Sequence, residues 1–197
     1  MKKPFKHLLL LLVPFAFSAC TDKPRTAVEE LKAFEARPVA LPLEEMACWQ
    51  DGKNVAFDIP KEEHLKFVVY SDSLQCSSCN LKRLPVWENF LRKLRPYEGQ
   101  VKAYFIFRPL SESLGAFGIT MRTVSPPFPV FVDTADVFLR SNPHFPSDHT
   151  LHTFLIGRDN RVLVVGDPLT NERVDKLLWK VLEEQVAMPA QTGNGNF

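Results

Sequence analysis

The chain has 197 residues, 45% of them hydrophobic and 24% charged, with a formal net charge of +1. That length fits one domain with appendages rather than two full cores. The near balance of charge excludes a highly charged disordered chain and gives no electrostatic ground for a nucleic-acid partner. The 16 prolines predict many turns, and the 16 phenylalanines supply bulky filling for a compact core.

Lys2, Lys3 and Lys6 form a positive stub ahead of an apolar run from Leu8 to Phe17. The run is about ten residues, whereas a membrane span needs about 20, so it reads as an export signal. Phe17-Ser18-Ala19-Cys20 resembles a bacterial lipobox, in which small residues precede a cysteine that becomes lipidated and N-terminal after cleavage. The alternative is an ordinary signal peptide cut near Cys20. Loss of residues 1–19 would take the 24 basic residues to 21 against 23 acidic ones. The expected organisation is a signal peptide over 1–19, a lipidated tether with a short helix over 20–43, one domain over 44–188 and a disordered tail over 189–197. Within the tether, Val28, Leu31 and Phe34 recur every three residues behind a candidate cap at Thr26, which predicts a short, loosely docked helix.

The body alternates strand and helix signals. Two strand-like stretches between Ala47 and Ile59 flank Asp51-Gly52-Lys53-Asn54, a hairpin signal. Residues 65–70 are β-rich and suit a buried central strand. Leu81, Leu84, Trp87, Leu91 and Leu94 define one face of a helix over 76–95, which Pro85 should bend by removing a donor and crowding the preceding turn. A second strand is expected at 101–107. A weaker helix follows at 111–122, where Gly115 and Gly118 lower helical stability. A short strand at 129–133 and a helical turn at 136–141 come next. Residues 153–156 and 162–165 form a hairpin around Gly157-Arg158-Asp159-Asn160. Val174, Leu177, Leu178, Val181 and Leu182 mark the stripe of a final amphipathic helix. These elements make an α/β sandwich, with helices on both faces of a mixed central sheet.

Four cysteines are present. Cys20 belongs to the lipobox-like segment, and Cys48, beside Trp49 on the hairpin, reads as a buried free thiol filling space, with a third redox cysteine as its alternative. Two cysteines of an exported protein are by default a structural disulfide. Cys76-Ser77-Ser78-Cys79 differs by its position, just past a buried strand and at the first turn of an amphipathic helix. Unpaired N–H groups and the helix dipole there stabilise a thiolate and lower the pKa of the first cysteine. A redox pair, an inert disulfide and a metal-ligand pair are the three readings.

A strand, a Cys-x-x-Cys turn and a bent helix, with a late hairpin and a final helix, resemble the thioredoxin fold. The resemblance is closest to the TlpA/ResA-type and AhpC/TSA-like thioredoxin proteins of bacterial envelopes and covers about residues 44–186. It implies a mixed central β-sheet sandwiched by α-helices, here with an added N-terminal β-hairpin. It also implies a membrane-anchored thiol–disulfide oxidoreductase facing the periplasm, with Cys76 as attacking nucleophile and Cys79 as resolving thiol. Envelope proteins with thiols or disulfides would be its partners, and no cofactor is needed. Three positions depart from the family pattern. Gln75 replaces an aromatic residue before the first cysteine, and Tyr70 stands where some members carry a buried carboxylate. Leu151 occupies the place of a cis-proline before the hairpin strand; a cis bond there would cost about 2.5–4 kcal/mol, so a trans bond is expected.

Ser147-Asp148-His149-Thr150 resembles the corresponding loop of Sco-type copper-delivery proteins, which implies an alternative metal set of Cys76, Cys79 and His149, with His152 as a weaker candidate. Thiolates with one imidazole suit copper. A catalytically silent thioredoxin-like binding lipoprotein is the remaining alternative. Lys82, Arg83, Arg92, Lys93 and Arg95 read as solvated surface, and the acidic doublets Glu29-Glu30, Glu44-Glu45 and Glu62-Glu63 as exposed charges.

Overall fold

The computed structural model describes residues 26–60, 64–72 and 77–187, with side chains over 80–186 in the last segment. The segment 1–19, Cys20, the doublet Glu62-Glu63, Gln75, Cys76 and the tail 189–197 lie outside the described residues.

The chain opens with helix α1, Ala27–Glu35. Thr26 caps it as expected: its hydroxyl accepts from the Glu29 N–H, and the Glu29 carboxylate accepts from the Thr26 N–H at 2.8 Å. This reciprocal pair satisfies two of the donors that every helix start leaves open. Strands β1 (Ala47–Gln50) and β2 (Lys53–Val55) form the expected hairpin. Asp51 and Gly52 both take positive φ, 51° and 69°. A tight turn of this hand needs that conformation, and an Asp-Gly pair supplies it cheaply.

Strand β3, Leu65–Ser71, leads to helix α2, Ser77–Lys82, and then to helix α3, Leu84–Leu94. The helix expected over 76–95 is thus two helices broken at Arg83, not one bent helix. Pro85 sits in the first turn of α3, where its missing N–H costs nothing, and so starts a new helix. Phe90 fills the core beside Leu84, Trp87 and Leu94, whereas Leu91 is only half-buried.

Strand β4 (Val101–Phe107) falls where it was expected. A 3-10 turn at 111–113 precedes helix α4, Leu114–Val124, so this helix starts later than its sequence pattern implied. Strand β5 (Val130–Val132) and the short helix α5 (Val137–Ser141) follow. Strands β6 (Thr153–Ile156) and β7 (Val162–Val165) form the second hairpin, and helix α6, Glu172–Ala187, closes the fold. Leu178 and Leu182 are buried, but Leu177 is 48% exposed, so the buried stripe of α6 is narrower than the sequence suggested.

The seven strands form one sheet in the order β2-β1-β5-β4-β3-β6-β7. The three central strands β5, β4 and β3 run parallel, and the hairpins join antiparallel on either side. Alternation along β3 sends Leu65 and Phe67 to one face, and Val68 and Tyr70 to the other. Helices α2, α3, α4 and α6 cover the first face; α1, the 43–46 segment and α5 cover the second. Both faces of β3 are therefore dry, which explains its unbroken apolar run.

Two details close the layers. Gly166, just after β7, has φ +122°, and a Cβ there would lie 2.8 Å from Val174 Cγ2. The final helix approaches too closely for any side chain at that point. Helix α1 docks firmly rather than loosely. Phe34 is 3% exposed, with its ring edge-on to Phe145 at 5.3 Å and to Phe154 at 5.1 Å. No described helix is long and apolar enough to cross a membrane.

Candidate functional site

The site gathers at the C-terminal end of β3. Ser71 ends that strand, and Asp72 follows it with 7% exposure. Cys79 lies on the backbone of α2, three residues on from Ser77 counted inclusively, and Cys76 immediately precedes that helix. Asn80 stitches the helix to the strand: its Nδ2 donates to Ser71 Oγ at 2.8 Å. This contact, between residues nine apart, ties helix α2 to the end of β3.

The opposite wall comes from the loop entering β6. Its 3-10 turn, His149–Leu151, is capped by Asp148, whose carboxylate accepts from the Thr150 N–H at 2.9 Å and hydroxyl at 2.8 Å. These bonds hold the Asp148 carboxyl below its ordinary range. They also account for much of the Ser-Asp-His-Thr pattern, since an Asp two residues before an open N–H is a turn former. No peptide bond among the described residues is cis, so the bond into Leu151 is trans, as expected. The Tyr70 N–H donates to the His152 carbonyl at 2.9 Å, extending the β3–β6 ladder to the loop's end.

A cleft of about 490 Å³ separates the two walls, with Asn80, Arg83 and Trp87 on one side and His149, Leu151 and Asp167 on the other. His149, the histidine favoured by the sequence pattern, is exposed at this cleft. Among the described residues no group of three or more His, Cys, Asp or Glu side chains could hold a metal ion. Arg83 and the other cations of the α2–α3 segment are exposed, as expected.

His152, in contrast to His149, is buried, with 3% exposure. Its Nε2 lies 3.0 Å from the Pro146 carbonyl oxygen. A carbonyl can only accept, so Nε2 carries the proton and Nδ1 presents a lone pair. Among the described residues Nδ1 has no hydrogen-bond partner, and it faces Asp72 Oδ2 at 4.0 Å. Burial holds the imidazole pKa below its ordinary value, against the opposing pull of the Pro146 bond and of Asp72. Tyr70 packs beside it, stacked on Phe138 at 4.7 Å and edge-on to the His152 ring at 5.4 Å. Its hydroxyl has no hydrogen-bond partner among the described residues, and burial pushes its pKa above 10. Nearby, Asp133 accepts from the Val137 and Phe138 N–H groups, both at 2.9 Å, and so caps α5; Arg108 pairs with Asp136 at 2.6 Å.

Glu30 corrects another expectation. Rather than a free surface charge, its carboxylate accepts from Ser147 Oγ at 2.7 Å, the Ser147 N–H at 3.0 Å and the Asp148 N–H at 3.2 Å. Helix α1 thereby holds the loop that walls the cleft. The Ser147 hydroxyl, the largest cause, and the two N–H groups lower the Glu30 pKa below 4.5. A carboxylate whose folded pKa is depressed stabilises the fold above its unfolded pKa and loses that contribution as pH falls through the folded value. Glu30→Gln should therefore melt about 2–4 °C below the parent chain at neutral pH, the effect of about 1 kcal/mol at this chain length. The gap should close as pH falls below 4.5. Equal melting at pH 7 would show that the clamp adds nothing.

Cys48 stands apart from all of this. It is 4% exposed, a free thiol on β1, and burial raises its pKa.

A parallel β3–β4 pair joined through α2 and α3, then an antiparallel β6–β7 hairpin beside β3 and a closing helix on the α2 face, is the thioredoxin-like arrangement. The fold is thioredoxin-like, with the expected N-terminal β1–β2 hairpin at the sheet edge. Among solved structures the chain is similar to one assigned as the thiol:disulfide interchange protein DsbE from Chlorobium tepidum, at 18% identity over 61% of this chain and 81% of that one, with a TM-score of 0.43. It is likewise similar to StoA from Bacillus subtilis, at 18% identity over 67% and 96%, with a TM-score of 0.42. A thioredoxin-like protein from Porphyromonas gingivalis matches at 16% identity over 72% and 88%, with a TM-score of 0.42. No protein-family model matches the chain. No curated protein matches it either.

Proposed function

We propose that this chain is a thiol–disulfide oxidoreductase of the bacterial cell envelope, anchored by lipid on Cys20 and facing the periplasm. In the reducing direction the Cys76 thiolate attacks a partner disulfide and Cys79 resolves the mixed disulfide. In the oxidising direction a partner thiolate attacks the Cys76–Cys79 disulfide at Cys76 and a second partner thiolate releases it. The observation that carries the reading is the stitching of the Cys79-bearing helix to the end of β3 by Asn80, opposite the 149–152 loop across an open cleft. A Cys-x-x-Cys segment carried into that helix would meet a partner chain at this cleft. Thiol exchange itself needs no bound group, because the electrons move between sulfurs.

The deciding measurement is the reduction potential of the Cys76–Cys79 pair, taken on a soluble form beginning after Cys20 with Cys48 replaced by serine. Exchange enzymes span about −120 to −270 mV, whereas structural disulfides lie below about −300 mV. A value in the first range is expected, and its position gives the direction of electron flow. A value below −300 mV would favour the silent binding module instead.

A further inference from the structure

The chain enters the folded domain at the same end as the cleft. Strand β6 begins opposite Val69, near the end of β3, and finishes opposite Lys66, near its start. The loop entering β6 therefore lies at the C-terminal end of β3, and the β6–β7 turn at the other end. Helix α1 runs between these two ends. Near its start Glu30 holds Ser147 and Asp148, and past its close the Val39 N–H donates to the Asn160 carbonyl of the β6–β7 turn at 2.8 Å. Thr26, one turn before Glu30, is thus beside the cleft wall. Exposed apolar side chains gather at this end as well: Val28 in the first turn of α1, and Leu110 and Leu114 just after β4, whose last residue pairs with Ser71.

Six residue steps join Cys20 to Thr26 and reach at most about 22 Å. The helical turn to Glu30 adds about 6 Å. A domain of this size is about 40 Å across, so so short a tether cannot place the cleft on the side away from the anchor. Resting on the lipid anchor of the proposed function, we infer that the cleft faces the bilayer. Its partner is then a membrane-bound protein whose thiol or disulfide lies within about 30 Å of the lipid surface. Such a partner meets the cleft at a raised effective concentration, because both are held at one surface. A partner free in solution gains nothing from this placement. The Glu30 clamp serves the same end, since it fixes the cleft wall to the first turn of chain after the tether.

The test uses the lipidated chain in phospholipid nanodiscs with a nitroxide on some of the headgroups, and reads the broadening of backbone amide signals by NMR. His149 to Leu151 and Leu110 are expected to broaden strongly, whereas Val39 and Arg158 to Asn160 should keep their intensity. Equal broadening at the two ends, or the reverse order, would overturn the inference. No exchange chemistry enters this measurement. The partner class is read separately from a disulfide peptide coupled to lipid, held either near the surface or about 60 Å away on a stiff helical spacer. The anchored, reduced chain should react with the near peptide at least about tenfold faster, because the far one lies beyond its reach. A soluble form beginning after Cys20 should react with both at one rate. Equal rates for the anchored chain would sink the membrane-bound partner. If the soluble form reacts with neither peptide, the proposed exchange activity fails, while the broadening still decides the orientation. A mature chain without lipid on Cys20 would remove the anchor and this inference together.

Discussion

Cys76→Ser is expected to abolish thiol exchange completely, and Cys79→Ser to leave the chain trapped as a mixed disulfide with its partner. A serine hydroxyl neither ionises near neutral pH nor forms a bond to the partner sulfur, so no slower route remains at position 76. At position 79 the first attack survives and only the second is lost, which makes the intermediate visible on a non-reducing gel. Cys48 cannot stand in for either. It belongs to the core on the opposite sheet face from α2, and β1 is three strand spacings from β3, about 14 Å at the usual separation. A disulfide needs Cα atoms within about 7 Å. Unchanged exchange in Cys76→Ser would sink the proposed function, and exchange lost in Cys48→Ser with the fold intact would contradict this geometry.

The largest loss of stability is expected from Phe154→Ala. Phe154 is 1% exposed on β6, in register with Val68 of β3 and Val165 of β7. Its ring meets Phe34 at 5.1 Å and Phe145 at 5.9 Å, so one side chain joins the sheet, helix α1 and the loop before the site. Truncation of a buried phenylalanine costs about 3–5 kcal/mol. Against a total of about 5–15 kcal/mol, this is a large share of the whole. Denaturant unfolding should show a much lower midpoint. Leu177→Ala, at a position 48% exposed, is the matched control and should change stability by less than about 0.5 kcal/mol. A small effect at Phe154 with a large one at Leu177 would mean that the packing described here is wrong.

Much of the frame was legible because its signals are local. The apolar runs at 65–70 and 101–107, the paired runs of the late hairpin, the Asp51-Gly52 turn and the Thr26 cap each specify backbone geometry within a few residues. Pro85 announced an interruption, although whether it bends a helix or begins another depends on the turn at Arg83, where the pattern is silent. The Cys-x-x-Cys motif and its setting after a central strand were equally plain. Leu177 misled because helical periodicity marks a stripe but not its width, which is set by how α6 seats on the sheet.

Pairs far apart in the chain were not legible. Asp72 meets His152 across eighty positions only because β6 inserts beside β3, and Glu30 reaches Ser147 across 117 positions only because α1 folds back over the same end of the sheet. By itself the sequence determined most of the elements and their order, since periodicity and turn chemistry act over one or two turns of chain. Strand order was decided by the tertiary structure alone, and with it which polar groups share a dry site, because burial and the pairing it demands depend on neighbours in space.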